Sequence, residues 1–282
     1  MAREFAPKGA PTQFAPEGVP KARPRRGRVV SRPSGAQFAA LRQSTWQNAG
    51  AMSQFKLTRE SILDGSLHAA VRTLLGPDVP FMSDAERAAQ LETILAAAPR
   101  RGKIWVFAFG SLIWNPAFHF AERRTARIHG FHRQFCLMTR SGRGSPERPG
   151  LMLSLESGGS CNGVAYRLEP GAAATELDVL WRREMFTMAY RPVWTTARTP
   201  KGVVPVIVFS ANRLHERYAP GLEDAAIARY LATGAGPLGR CCDYLFDTVA
   251  HLRELGIRDR RLEALEARVR AHDENPSPAS TA

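Results

Sequence analysis

The feature that most constrains this chain is the run Lys103-Ile-Trp-Val-Phe-Ala-Phe109, continuously apolar after its first residue and bounded by Gly102 and Gly110. An amphipathic surface element would show polar residues at a period of 2 or 3.6. A short unbroken run between glycines predicts a strand covered on both faces. Such a strand must lie inside a sheet or barrel. Further strands are predicted at 125–139, 150–156, 161–168, 191–198 and 203–209, separated by Gly, Ser and Pro turns.

Helical text surrounds this block. Residues 58–75 carry helical apolar spacing interrupted at Gly65. In the next segment Ser83 and Glu86 form an S-x-x-E capping box, Leu91, Ile94 and Leu95 mark the apolar face, and Pro99 ends the helix. A helix is expected after Pro170 through about Thr187, then helices at 222–232, 241–255 and 259–272. Helices flanking five or six strands give an α+β class, with a mixed sheet or barrel as core.

Residues 1–35 are rich in Pro, Arg and Gly and repeat FAPKGAP at 5–11 as FAPEGVP at 14–20. Proline at this density denies the backbone donors that regular structure needs. Residues 36–56 read as a transition. The expected organisation is a basic tail over 1–50, a folded domain over 51–272 and a polar end over 273–282. The tail holds nine Lys/Arg and two Glu, so more than half of the +13 net charge lies there. It admits weak, non-specific attraction to nucleic acid or anionic lipid. A solvated and functionally silent extension is the plainer reading.

No run approaches the ~18 apolar residues that cross a bilayer, and the first residues do not read as a secretory signal. Cys136, Cys161, Cys241 and Cys242 show no CxxC spacing, which suits reduced, mostly buried thiols in a cytoplasmic setting. The seven histidines form neither H-x-x-x-H nor H-E-x-x-H, giving metal catalysis little support.

Two features could carry chemistry. On a helical wheel started at Leu177, Glu184 falls about 20° from the stripe centre, between Leu180 and Trp181 and beside Met188. Arg182 and Arg183 fall roughly 120–140° away, toward solvent. A carboxylate in that stripe is desolvated, which raises its pKa and makes it a usable proton carrier; a buried structural ion pair is the alternative. The second feature is Phe109-Gly110-Ser111-Leu112, a turn leaving the buried strand whose backbone N–H groups could hold an oxyanion or carboxylate. It is neither a G-x-S-x-G elbow nor a phosphate loop. No Ser or Cys nucleophile with a paired His is identifiable.

The string WVFAFGSLIWNP (105–116) resembles the signature loop of the ChaC-like γ-glutamylcyclotransferases, normally written G-Y-G-S-L. GFHRQFCL (130–137), PGLML (149–153), GVAYRL (163–168), LWRREM (180–185), RPVW (191–194), IVF (207–209) and GPLGRCCDYLFDTVAHLRELGI (236–257) match further motifs in the same order. The resemblance covers about 57–270. It implies a small mixed β-barrel with flanking helices and cleavage of reduced glutathione to 5-oxoproline and cysteinylglycine, with no metal or organic cofactor. It makes Glu184 the proton acceptor. It places Val106, Phe107, Ala108, Phe109, Gly110, Ser111 and Leu112 around the γ-glutamyl group. The chain departs from the family at Ala108-Phe109, where Gly-Tyr is usual, and at Leu151, where a basic residue is usual. Another γ-glutamyl amide or dipeptide as substrate, and a non-catalytic binding relative, stay open as alternatives.

Overall fold

The computed structural model describes residues 57–75, 79–99 and 103–274. The tail over 1–50, its duplication, the transition through residue 56 and the end from 275 lie outside the described residues. Where the sequence predicts one interrupted helix, the chain forms two, α1 (Arg59–Leu63) and α2 (Ser66–Leu75), broken at Gly65. The predicted capping box opens α3 (Asp84–Ala96): Ser83 Oγ accepts from Glu86 N–H, and the Glu86 carboxylate accepts in return from Ser83 N–H.

Strands β1 (Trp105–Ala108), β2 (Phe120–Thr139), β3 (Gly150–Leu168), β4 (Tyr190–Thr199) and β5 (Gly202–Ala211) form a closed barrel in the order β1-β3-β2-β4-β5. Neighbours are antiparallel, except where β5 meets β1 at Val106–Ile207 and β3 at Leu155–Ser210 in parallel. Closure leaves β1 no free edge. Every β1 residue is buried, with Val106, Phe107 and Ala108 fully so. Burying a side chain of this size contributes about 1.5–3 kcal/mol, so β1 acts as a hydrophobic pin through the barrel.

One sequence expectation is corrected here. Residues 150–156 and 161–168 are not two strands but the single strand β3. The glycines read as a turn are a bend within it. Gly158 and Gly159 have φ of +97° and +69°, and Gly130 on the facing strand has +82°. The β2–β3 register shifts between His129 and Phe131 at this point. Positive φ without a Cβ penalty lets both strands turn the barrel corner while staying paired.

After β3 come α4 (Ala173–Glu184), then β4 and β5, α5 (Asp224–Thr233), the short pair β6 (Ala235–Gly236) and β7 (Gly239–Arg240), α6 (Cys241–Glu254) and α7 (Arg260–Glu274). Helix α4 packs on α3, with Trp181 Nε1 donating to Gln90 Oε1 at 2.7 Å. The Trp181 ring also meets Phe209 edge-on. Helix α6 packs against β3 and the turn that follows β1.

The β1–β3 approach depends on Gly163. A Cβ there would stand 2.2 Å from the Ala108 carbonyl oxygen and 2.8 Å from Phe107 Cζ. The first obstacle is backbone and cannot rotate away. Gly163→Ala is expected to lower stability by roughly 1–3 kcal/mol or more, read as a lower urea midpoint; an unchanged midpoint would show that β1 tolerates displacement.

Candidate active site

The end of α4 places two consecutive charged residues under the turn that follows β1. Glu184 is the last residue of that helix, and Met185 is its C-cap. The helix is therefore one turn shorter than its apolar pattern suggests, and Met188 lies beyond it at φ +58°. Asn212 holds this exit by donating from Nδ2 to the Met188 carbonyl and from its backbone N–H to the Ala189 carbonyl. Leu177, Leu180 and Trp181 are buried as expected.

Arg183, expected toward solvent, is instead buried, because the post-β1 turn covers that side of the helix. Its guanidinium donates to Ser111 Oγ at 2.9 Å and to the Asn115 carbonyl, while its Nε lies 2.9 Å from Glu184 Oε1. One side chain thus bridges the helix end and the loop.

Glu184 keeps 15% of its side chain exposed. Among the described residues its one hydrogen-bonding or ionic partner is Arg183. Burial pushes its carboxyl above the ordinary value of 4.5, against the Arg183 charge, which pulls it back. Its place in the last turn also sets it beside helix carbonyl ends, which disfavour a negative charge. The other buried glutamate of α4 is a useful contrast. Glu176 accepts from Arg59 Nη2 and from the His119 backbone N–H, both at 2.8 Å, and lies under α1 as a saturated structural acid.

The loop residues divide by role. Val106, Phe107 and Ala108 belong to β1, and their side chains are in the core, as are those of Phe109 and Leu112. Gly110 precedes a 3-10 turn over Ser111–Ile113, and of the seven residues only Ser111 is partly exposed. The segment can therefore offer a ligand its backbone and the Ser111 hydroxyl more readily than its side chains. Arg133 fixes it from behind: Nε donates to the Phe109 carbonyl at 2.6 Å and Nη2 to the Asn162 carbonyl at 2.7 Å, and the guanidinium pairs with Asp259.

Two phenols complete the group. Tyr244 of α6 is buried between Trp114 and Phe135, and α6 packs on the turn that carries Ser111. The Tyr244 hydroxyl sits where Gly110 has no Cβ, since an added Cβ would come within 2.6 Å of it. Tyr190 opens β4 and donates to the Leu153 carbonyl at 2.9 Å. Burial, and next the Glu184 charge, push both phenols upward, so they stay protonated. Sequence reasoning missed Arg183, Tyr244 and Tyr190 as site residues. Arg183 is in LWRREM and Tyr244 in CCDYLFD, but local patterns do not reveal that the two strings meet.

A family model described as ChaC-like protein matches residues 104–272. The chain belongs to the ChaC-like family. It is 41% identical over 210 residues to an Escherichia coli protein named glutathione-specific γ-glutamylcyclotransferase, covering 74% of this chain and 90% of that one. Identity to a Schizosaccharomyces pombe protein of the same name is 28%, with 60% and 93% covered. A crystal structure of a yeast γ-glutamyl cyclotransferase specific to glutathione superposes with a TM-score of 0.55 at 23% identity, covering 61% of this chain and 97% of that one; it supports the fold.

Other reactive groups are occupied elsewhere. His68, His132, His215 and His251 each bond a backbone carbonyl. The four cysteines are buried and form no disulfide. Burial pushes the Cys136 thiol up to about 12 and that of Cys241 to about 11, and raises Cys161 as well. Thiolate is the reactive form, so iodoacetamide at pH 8 should label the native protein far more slowly than the urea-unfolded chain. Rapid native labelling of any of these three would contradict the burial.

Proposed function

We propose that this ChaC-like protein cleaves the γ-glutamyl bond of glutathione by intramolecular aminolysis, releasing 5-oxoproline and cysteinylglycine. The observation that carries the reading is Glu184, a desolvated carboxylate with one partner, joined by Arg183 to the loop after β1. The names of the relatives support the substrate. The four buried thiols suit a reducing, cytoplasmic setting, and no helix among the described residues is long and apolar enough to cross a membrane.

In this reaction the nucleophile belongs to the substrate. The α-amine nitrogen attacks the γ-carbonyl carbon, the carbonyl becomes an oxyanion, and its collapse breaks the bond to the cysteinyl nitrogen. Glu184 accepts a proton from the α-ammonium group and delivers one to the departing nitrogen. A single carboxylate can do both because its raised pKa keeps either proton state accessible. Seating the amine over the carbonyl removes much of the entropic barrier to closing the five-membered ring.

Charge developing on the γ-carbonyl oxygen needs a donor. The Tyr244 hydroxyl lies beside Gly110, and burial keeps its proton in place to donate. Tyr244 thus presents a phenol at the loop, whose own Phe109 has none. Arg183 orients the Glu184 carboxylate and supplies a fixed positive charge beside it.

Glu184→Gln retains an oxygen acceptor for Arg183 and should keep the fold and KM while lowering kcat by ~10²–10⁴-fold, measured as 5-oxoproline release from reduced glutathione. Near-normal turnover would mean that the proton carrier is another group. The pH dependence has a definite sign. Glu184 must be ionised to accept the first proton, so kcat/KM should fall as pH drops through its raised pKa, with the acid limb above 4.5. That limb should vanish from the residual activity of Glu184→Gln. Tyr244→Phe preserves the ring packing and should lower kcat by about 10²–10³-fold; a change confined to KM would reduce Tyr244 to a binding role.

A further inference from the structure

A second concave site lies on the barrel wall, built from residues outside both the loop and the end of α4. It is an open groove of about 540 Å³, floored by Thr125, Ala126 and Arg127 of β2, Asn162 of β3 and Arg198–Pro200 at the end of β4, and closed by residues 255–258 between α6 and α7. Its volume is within the usual range for small-molecule sites. Among the described residues three arginines line it, Arg127, Arg198 and Arg258, and no carboxylate does.

All three arginines are exposed to solvent, and two of them are set directly against each other. Arg127 and Arg198 are direct cross-strand partners in the β2–β4 pair. Like charges directly opposite each other on a sheet are destabilising. Arg127 donates to the Ser160 hydroxyl at 2.7 Å, which does nothing to neutralise it. The Arg198 guanidinium has no hydrogen-bond or ion-pair partner among the described residues, and only its backbone is paired, with Val203. Arg258 reaches Glu263 at 3.2 Å in an exposed pair, which is weak.

The rest of the groove also favours an anion. Thr125 and Asn162 add side-chain donors, with Asn162 in register with Arg127 on its other side. Helix α6 ends at the groove wall, and its last carbonyls could have opposed a negative ligand. They are satisfied, because Gly256 N–H bonds the Arg253 carbonyl and Ile257 N–H the Leu252 carbonyl.

We propose that this groove is a binding site for a small phosphate-bearing anion. Planar guanidinium forks match phosphate oxygens bidentately, and a ligand with two or more negative charges would relieve the Arg127–Arg198 opposition. Such an anion differs in chemistry from glutathione, and the site is separate from Glu184.

Pyrophosphate is a suitable probe, titrated into the full-length protein at low ionic strength by calorimetry, with melting followed in parallel. Comparing full-length variants keeps the basic residues of the tail constant. Pyrophosphate should bind saturably and raise the melting temperature of the wild type. Arg198→Ala and Arg127→Ala should each bind at least ~10-fold more weakly, while melting no lower than wild type in pyrophosphate-free buffer because the like-charge pair is gone. Wild-type affinity in both variants, or no saturable binding to the wild type, would overturn the proposal. So would tricarballylate binding as tightly as pyrophosphate.

Discussion

The Arg183 guanidinium is the contact through which helix, loop and carboxylate are held in one geometry. It touches the Ser111 hydroxyl, the Asn115 carbonyl and the Glu184 carboxylate at once. Burying a guanidinium costs several kcal/mol unless charge and hydrogen bonds replace the lost water. Here the compensation comes from groups that must be in place together: the end of α4, the 3-10 turn and the residue after it. If the turn moved, the Arg183 guanidinium would stay buried and lose its two loop acceptors. A charge buried in this way is weak as a source of stability and strong as a source of specificity, because alternative loop positions leave it uncompensated.

The barrel supplies the rigid side of that geometry. Strand β1 is buried along its whole length and pairs with β3 and β5, so the turn that follows it starts from a fixed point. Arg133 then holds the Phe109 carbonyl from β2, while the Tyr244 hydroxyl of α6 comes up beside Gly110. Close contacts permit this convergence. Gly163 lets the β1 backbone approach β3, and Gly110 leaves room for the Tyr244 hydroxyl. The loop departs from its relatives' usual Gly-Tyr at Ala108-Phe109, and both side chains are absorbed by the core. Leu151, where the family usually carries a basic residue, is likewise fully buried on β3.

Two glutamates on one helix illustrate how environment assigns role. Glu176 and Glu184 are both on α4 and both are largely removed from water. Glu176 receives an arginine fork and a backbone donor, leaving it little capacity for chemistry. Glu184 receives one arginine contact from its own neighbour and keeps an opening to solvent. Desolvation raises a carboxylate's pKa in proportion to what is not returned by hydrogen bonds and nearby positive charge. The difference lies in the partners each acid meets, not in the residue type.

Much of this was legible in the amino-acid order because it is governed by local rules. The buried run at 103–109, the Ser83–Glu86 capping box, the helix break at Gly65 and the apolar stripe holding Glu184 are set by periodicity and by neighbours a few residues away. The order of motifs pointed to the family and to the loop 106–112. Local rules failed where a distant segment changed the environment. Arg183 read as a surface residue because its helix alone leaves it outside, and the turn from β1 covers it. The glycines at 158–159 read as a turn, and pairing with a bulged β2 made them a corner within β3. Tyr244 was one apolar position among several until closure of the barrel brought α6 against Ser111. The sequence by itself determined most of the elements, the family and the place of Glu184 in an apolar stripe; tertiary structure decided which groups surround that carboxylate, because desolvation and pairing depend on contacts between residues far apart in the chain.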